Sequence, residues 1–368
     1  MRICVDASPL LLRSAGVKNY LYHWIQALQR VARHHTVSAY PFIGGLGDLT
    51  HEGSVMNFLQ TAPRIAWLLA ANKWEFARRL ATGDAQVFHV SNQVHDGVRG
   101  KALTATVHDM TCWLTPEFHT PGNIIADKRF AERVLSKADG LIAVSEKTRE
   151  DAIQILGLKP EKIVAIHSGV PPAYFEVTAA AAERVRRSLS LDKPFILHIG
   201  TIEPRKNLDA LLDAYLLLPD TIRRGVDLVF AGPIGWAAAS TAQRIQSGLP
   251  GVRYLGYVPE SDVPGLTKAA AVFAYPSLYE GFGFPAAQAM AAGVPVLTSN
   301  NSCLPEITGA GAIHVDPRSV EALRDGLERL LVSSETAAAV ASAGREKANE
   351  YRWERCAERS WRFFEQFA

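Results

Sequence analysis

The feature that most constrains this chain is an alternation that runs twice. Short stretches that are apolar on both faces alternate with longer stretches of helical periodicity, and then the alternation restarts. In the first half the apolar stretches are Arg2–Asp6, Thr36–Phe42, Val87–Val90, Leu103–His108, Gly140–Val144 and Ile163–Ile166. Helical patterns lie near Val17–Arg33, Arg64–Ala81, Asn123–Lys137 and Glu146–Leu156. The second set is Phe195–Gly200, Val226–Ala231, Val252–Leu255, Val272–Tyr275, Val294–Thr298 and Ile313–Asp316, again with helical segments between. A strand that is apolar on both faces needs cover on both sides, as a parallel strand between helices has. Repeated strand–helix alternation therefore predicts two doubly wound α/β domains. The halves show no close internal repeat, which excludes a solenoid.

The chain has 368 residues, longer than one core usually supports. The expected divide lies between His167 and Pro194, giving domains over residues 1–175 and 176–350. A last segment, residues 351–368, holds aromatics at Trp353, Trp361, Phe363, Phe364 and Phe367 and reads as a docking helix. A net charge of +2 gives no reason to expect nucleic acid as a partner. The four cysteines, Cys4, Cys112, Cys303 and Cys356, form no C-x-x-C pair. That spacing fits buried thiols in a reducing compartment. The sequence enters a strand at once, without signal-peptide character, so a cytoplasmic location is expected. In that setting the sequon Asn300-Asn301-Ser302 carries no glycosylation expectation.

Several chemistries are excluded by missing motifs. There is no G-x-G-x-x-G after the first strand and no G-x-x-x-x-G-K-[ST], so a dinucleotide enzyme or P-loop NTPase is not indicated. No D-x-D pair is present to hold a divalent cation against a diphosphate, and no metal or cofactor is expected. Phosphate chemistry would have to use basic side chains and backbone N–H groups. Arg205 and Lys206, in Glu203-Pro204-Arg205-Lys206-Asn207, stand at a strand-to-helix turn, where a helix start adds positive potential. They suit a diphosphate that gains charge as a bond breaks, or equally a solvated basic helix start. Tyr279-Glu280-Gly281-Phe282-Gly283-Phe284-Pro285 follows another strand. Its glycines would admit close backbone approach, and Glu280 could accept from sugar hydroxyls; the plainer reading is a glycine-rich link with a surface acid. His108, in Val107-His108-Asp109, sits at a strand end, where it faces a ligand or serves structure. Ser14-Ala15-Gly16-Val17-Lys18-Asn19-Tyr20 leads into the first long helix and could seat an anion or be an ordinary turn.

Taken in order and at this separation, the two later motifs resemble glycosyltransferase family 4, the retaining group 1 enzymes of GT-B fold. The resemblance extends over nearly the whole chain, through Gly16 to Tyr20, Val107-His108-Asp109, Val144-Ser145-Glu146, Leu255-Gly256-Tyr257-Val258 and Trp353-Glu354. It implies two Rossmann-like domains with an interdomain cleft, a final helix crossing back to the first domain, and metal-independent hexosyl transfer from a nucleotide-sugar donor. It implies that Arg205 and Lys206 clamp the donor diphosphate and that Glu280, first acid of an E-x7-E pattern, contacts sugar hydroxyls. Glu203, Phe282, Gly283 and Phe284 fall in the donor-binding set. His108 is placed near the transferred sugar, and Gly16 in a loop closing over phosphate or acceptor. The mannosyltransferase-like members that build surface polysaccharides are the nearest in pattern, with GDP-mannose as the first donor expectation and a glycan or lipid-linked glycan as acceptor.

One position departs from the pattern. The second acid should be residue 288, and Gln288 stands there. An amide still accepts from a ribose hydroxyl, but a neutral hydrogen bond is worth roughly 0.5–1.5 kcal/mol against about 1.5–3 for a charged one. Gln288 is the only feature that favours the alternative of a non-catalytic GT-B partner subunit. A sugar-nucleotide epimerase would want acid/base carboxylates that are not identifiable. Pro63–Leu80, with Trp67, Trp74, Arg64, Lys73, Arg78 and Arg79, either packs its apolar stripe on its own domain, the favoured reading, or touches the inner face of a membrane peripherally.

Overall fold

The computed structural model describes residues 1–11, 16–32, 34–41, 49, 55, 62–64, 66, 67, 70, 73, 74, 76, 77, 82–91 and 101–367. Ser14, Ala15, Phe42, Arg78 and Arg79 lie outside the described residues, as do parts of the expected helix Arg64–Ala81. The chain divides into two compact units. One comprises Met1–Leu114, Pro121–Gly169 and Arg352–Ala368; the other comprises Thr115–Thr120 and Val170–Tyr351.

The first unit is built on β1 (Arg2–Asp6), β2 (Thr36–Tyr40), β3 (Val87–Ser91), β4 (Ala102–Val107), β5 (Gly140–Ala143) and β6 (Ile163–Ala165). They form one sheet in the order β2-β1-β3-β4-β5-β6, and every neighbouring pair is parallel. Burial follows position. All five residues of β3 and all four of β5 are buried, whereas the edge strand β2 buries only its last two. Central strands have helices on both faces and edges do not, so the all-apolar reading holds best at the centre.

The second sheet uses β7 (Phe195–Ile199), β8 (Asp227–Ala231), β9 (Val252–Gly256), β10 (Val272–Tyr275), β11 (Val296–Ser299) and β12 (Ala312–Val315). Its order is β12-β11-β10-β7-β8-β9, again parallel throughout. From β7 the chain winds outward through β8 and β9, then returns to β10 and winds the other way. The loops after β7 and β10 therefore diverge, and such a switch point leaves a crevice beyond the carboxyl ends of the two strands. In the first sheet the switch point lies between β1 and β3.

The helix Trp353–Phe364 completes the first unit. It buries Trp353, Cys356, Ala357, Ser360, Trp361, Phe363 and Phe364, one apolar face at helical spacing. Trp24 Nε1 donates to Ser360 Oγ at 3.0 Å, and Trp361 Nε1 donates to the Leu28 carbonyl at 3.2 Å. Both partners lie on the first helix, Gly16–Val31. The contact is held by burial rather than charge. Each buried large side chain is worth roughly 1.5–3 kcal/mol, against about 0–1 kcal/mol for the exposed Arg30–Glu354 pair at its margin. Among the described residues, no helix is long and apolar enough to cross a membrane.

Candidate active site

The switch point of the second sheet brings the sequence candidates Arg205, Lys206 and Glu280 together. β7 ends at Ile199, and the chain then forms a single 3-10 turn, Pro204–Lys206, with Asn207 left-handed at φ 58° before the helix Leu208–Leu216. Asn207 Nδ2 donates to the Pro317 carbonyl at 2.6 Å, which anchors this conformation. From β10 the chain runs through Glu280 to Gly283, at φ +80°, which opens the helix Phe284–Ala291. A Cβ at Gly283 would also stand 2.8 Å from the Leu304 side chain, so glycine is required there. The Leu278 N–H donates to the Arg205 carbonyl at 2.9 Å and ties the two loops together.

Three donors converge on one oxygen of Glu280. Lys206 Nζ reaches Oε1 at 2.6 Å, Arg205 Nη1 reaches it at 2.9 Å, and the Tyr275 hydroxyl donates to it at 2.9 Å. Lys206 Nζ also donates to the Tyr275 oxygen at 2.6 Å. Arg205 donates further to Glu203 Oε1 at 2.6 Å and to the Tyr279 carbonyl at 2.7 Å. Among the described residues nothing hydrogen-bonds Glu280 Oε2. Two cations thus face two carboxylates, and the cluster is charge-balanced.

The electrostatics follow from this packing. Burial alone would raise the Glu280 carboxyl; Arg205 and then Lys206 outweigh it and hold the group at about 2. At Lys206 burial and Arg205 repulsion win over Glu280 and Glu203, and the ammonium is pulled below its ordinary value. The Tyr275 phenol is pushed well up, by burial first and Glu280 second. Glu280 and Lys206 are both buried. This excludes a surface acid and a solvated basic helix start, the two plainer readings of these motifs.

Other sequence candidates fall where their elements place them. Glu203 is buried and held by Arg205, so it orients the guanidinium. Phe282 packs edge-on against Phe284 and Tyr351, at centroid distances of 5.0 and 5.5 Å, and its side chain belongs to the core. Gln288 lies one turn inside the helix Phe284–Ala291 and is buried; among the described residues its carboxamide makes no hydrogen bond. His108 and Gly16 belong to the first unit. His108 follows β4, with Nε2 2.6 Å from Ser91 Oγ and its ring edge-on to Tyr20. Burial drives His108 down to about 4, with Asp109 opposing in part, so the imidazole is neutral at neutral pH. Gly16 opens the first helix at an exposed position, and a Cβ there would meet nothing within 4 Å.

Comparisons with known proteins bear on family and fold. Residues 14–174 match the Glycosyltransferase Family 4 model, and residues 181–347 match that of the glycosyl transferases group 1. The O-antigen chain mannosyltransferase B of Escherichia coli is 34% identical over 259 residues, a match covering 70% of this chain and 68% of that protein. The chain belongs to glycosyltransferase family 4. The serotype-specific mannosyltransferase WbdA of Escherichia coli is 30% identical over 237 residues, covering 61% of this chain and 28% of that protein. Among solved structures, a sucrose-phosphate synthase from Thermosynechococcus elongatus superposes with a TM-score of 0.72 at 19% identity, covering 99% of this chain and 98% of that one. HepE from Anabaena, in complex with UDP and glucose, gives 0.71 at 16% identity, with both chains fully covered. These likenesses show the GT-B fold.

Further residues that no motif announces surround this cluster. Tyr275 is read from sequence only as the end of a strand. Behind the Glu280 loop, four side chains of or just after β11 grip its backbone. Thr298 Oγ1 donates to the Tyr275 carbonyl at 2.7 Å, Ser299 Oγ to the Ser277 carbonyl at 2.7 Å, and Asn301 Nδ2 to the Leu278 carbonyl at 2.9 Å. Ser302 Oγ accepts from the Glu280 N–H at 3.2 Å. The sequon that carried no expectation is half of this clasp.

Proposed function

We propose that this glycosyltransferase moves a hexose, mannose in the first instance, from a nucleoside-diphosphate sugar to a glycan or lipid-linked glycan, with retention and without a metal ion. The observation that carries the reading is the division of labour at Glu280. Oε1 is saturated by Lys206, Arg205 and Tyr275, while Oε2 is left to accept from a sugar hydroxyl. The two cations beside it suit a diphosphate, and their attraction strengthens as the sugar–phosphate bond breaks and negative charge grows on the leaving group. The departing phosphate takes the acceptor proton, so attack occurs on the face it leaves. His108 serves as a neutral hydrogen-bonding imidazole. Gln288 takes the nucleotide ribose, Gly16 and the backbone of Phe282, Gly283 and Phe284 the phosphates and sugar.

The mannosyl assignment draws on the relatives named above, and a surface polysaccharide is the acceptor class they suggest. GDP is the first choice of nucleotide. Metal independence draws on the absent D-x-D. Four buried free cysteines suit a reducing, cytoplasmic location. Trp74 and Phe76 are exposed beside Lys73, which supports peripheral contact with a membrane bearing the acceptor, whereas Trp67 packs into the core of the first unit.

The test is a panel of nucleotide sugars offered to the purified protein, reading nucleotide release and product. Transfer from GDP-mannose is expected to survive excess EDTA. Lys206→Ala should lower turnover at least about a hundredfold, the scale of losing one transition-state donor. Near-normal turnover in Lys206→Ala would remove the diphosphate assignment. Silence with every donor would favour the non-catalytic partner, for which Gln288 is the only support.

A further inference from the structure

Ser302 sits on an unusual backbone. Its φ is +53°, a region that a residue with a Cβ enters at a cost and glycine enters freely. The position nonetheless holds a serine whose hydroxyl has a definite task, since Oγ accepts the Glu280 N–H at 3.2 Å. Helix capping does not explain it. The following helix, Leu304–Thr308, has Cys303 as N-cap and no side-chain cap bond. Asn301 beside it holds the Leu278 carbonyl at 2.9 Å. The two bonds grip the chain on either side of Tyr279, the residue whose carbonyl accepts from Arg205. A strained conformation persists where the surroundings over-determine it.

We propose that Ser302, seconded by Asn301, is a positioning residue for glycosyl transfer. It holds the Glu280 backbone so that Oε1 stays beneath Lys206, Arg205 and Tyr275 while Oε2 remains presented to the donor sugar. The proposal rests on the reading of Glu280 as the sugar-contacting acid, which it deepens. The neighbouring hydroxyls of Ser299 and Thr298 are directed at the Ser277 and Tyr275 carbonyls.

The left-handed backbone provides a clean test, because Ser302→Gly removes the hydroxyl and relieves the conformation together. A merely structural serine replaced by glycine at such a position should leave the melting temperature level or raised, with turnover unchanged. The proposal expects the melting temperature to hold while kcat falls at least about tenfold and donor KM moves less than about threefold, because a small misplacement of a reacting group is costly. Asn301→Ala should shift kcat in the same direction by less. In a Glu280→Gln background Ser302→Gly should cost nothing further, since the group it positions is gone. Wild-type kcat in Ser302→Gly, with Glu280→Gln impaired in the same assay, would overturn the positioning role alone. Equal losses from Ser302→Gly in both backgrounds would also overturn it, because the effect would not run through Glu280. Wild-type kcat in Glu280→Gln itself would instead bring down the reading of Glu280, and the proposal with it.

Discussion

Glu280→Gln should tighten the grip of this enzyme on nucleoside diphosphate while slowing transfer. In the free protein Arg205 and Lys206 are matched by Glu203 and Glu280. An incoming phosphate competes with those carboxylates for the same cations. Lys206 Nζ lies 2.6 Å from Glu280 Oε1. A phosphate oxygen bound about 3 Å from the ammonium would stand roughly 5 Å from the carboxylate, a repulsion of about 3 kcal/mol at an effective dielectric near 20. Salt and relaxation leave on the order of 1–2 kcal/mol, and about 1.4 kcal/mol is tenfold in affinity. The variant should therefore bind GDP or UDP about tenfold more tightly than the wild type. Without ligand it should melt lower, because stripping one partner from a buried pair costs about 3–5 kcal/mol. The added diphosphate should then raise its melting temperature more than that of the wild type. Calorimetric titration with both nucleotides, beside thermal melts and steady-state kinetics, reads all three quantities. A folded Glu280→Gln protein that binds diphosphate no better than wild type would show that the carboxylate and the phosphates do not share Arg205 and Lys206.

Acid should unfold the protein early. Burial, with repulsion from His108 second, lowers His89 from 6.5 to about 3, and burial lowers His198 from 6.5 to about 4. The unfolded chain then binds more protons, so the stability from keeping these rings neutral is complete above pH 6.5 and lost as pH falls toward 4, on the order of 3 kcal/mol or more each. Urea midpoints should hold level from pH 7.5 to about 6.5 and fall from there to pH 4.5; a flat profile throughout would contradict it. Gln288→Glu should lower donor KM by a modest factor, because a charge-assisted bond replaces a neutral one and ribose contacts are shared by ground and transition states; an unchanged or higher KM would remove Gln288 from the ribose. Excess EDTA should leave transfer intact, and rescue of a chelated, inactive enzyme by magnesium or manganese would contradict the metal-free reading.

The strands of the two sheets were legible because parallel strands buried on both faces leave unbroken apolar runs. The differences at their ends have local causes. Val294 was expected to open β11, but Gly293 turns at φ +72° and the strand begins at Val296, past Pro295. Arg205, Lys206 and Glu280 were legible because charged residues at strand-to-helix turns stand out against apolar flanks. What they do to one another was not. Their mutual neutralisation depends on β7 and β10 being neighbours, which no local pattern states. Tyr275 and the Thr298-Ser299-Asn301-Ser302 clasp escaped for the same reason. Small polar residues beside a strand have no periodic signature, and these act across 22 or 23 positions of sequence.

The helix Trp353–Phe364 has a consequence for how the protein is made. The first unit is encoded almost entirely ahead of the second, yet the face covered by Trp353, Trp361, Phe363 and Phe364 waits for a helix that the ribosome delivers only after all of Val170–Tyr351 has emerged. During that interval Trp24 and Leu28 have no Ser360 or Trp361 to meet, and an apolar patch stays wet. The second unit, Thr115–Thr120 with Val170–Tyr351, has all of its chain once Tyr351 has emerged. Synthesis order and folding order are thus inverted: the half that starts first closes last, and a nascent chain stalled or clipped before residue 353 would carry a sticky, unfinished domain into the cell.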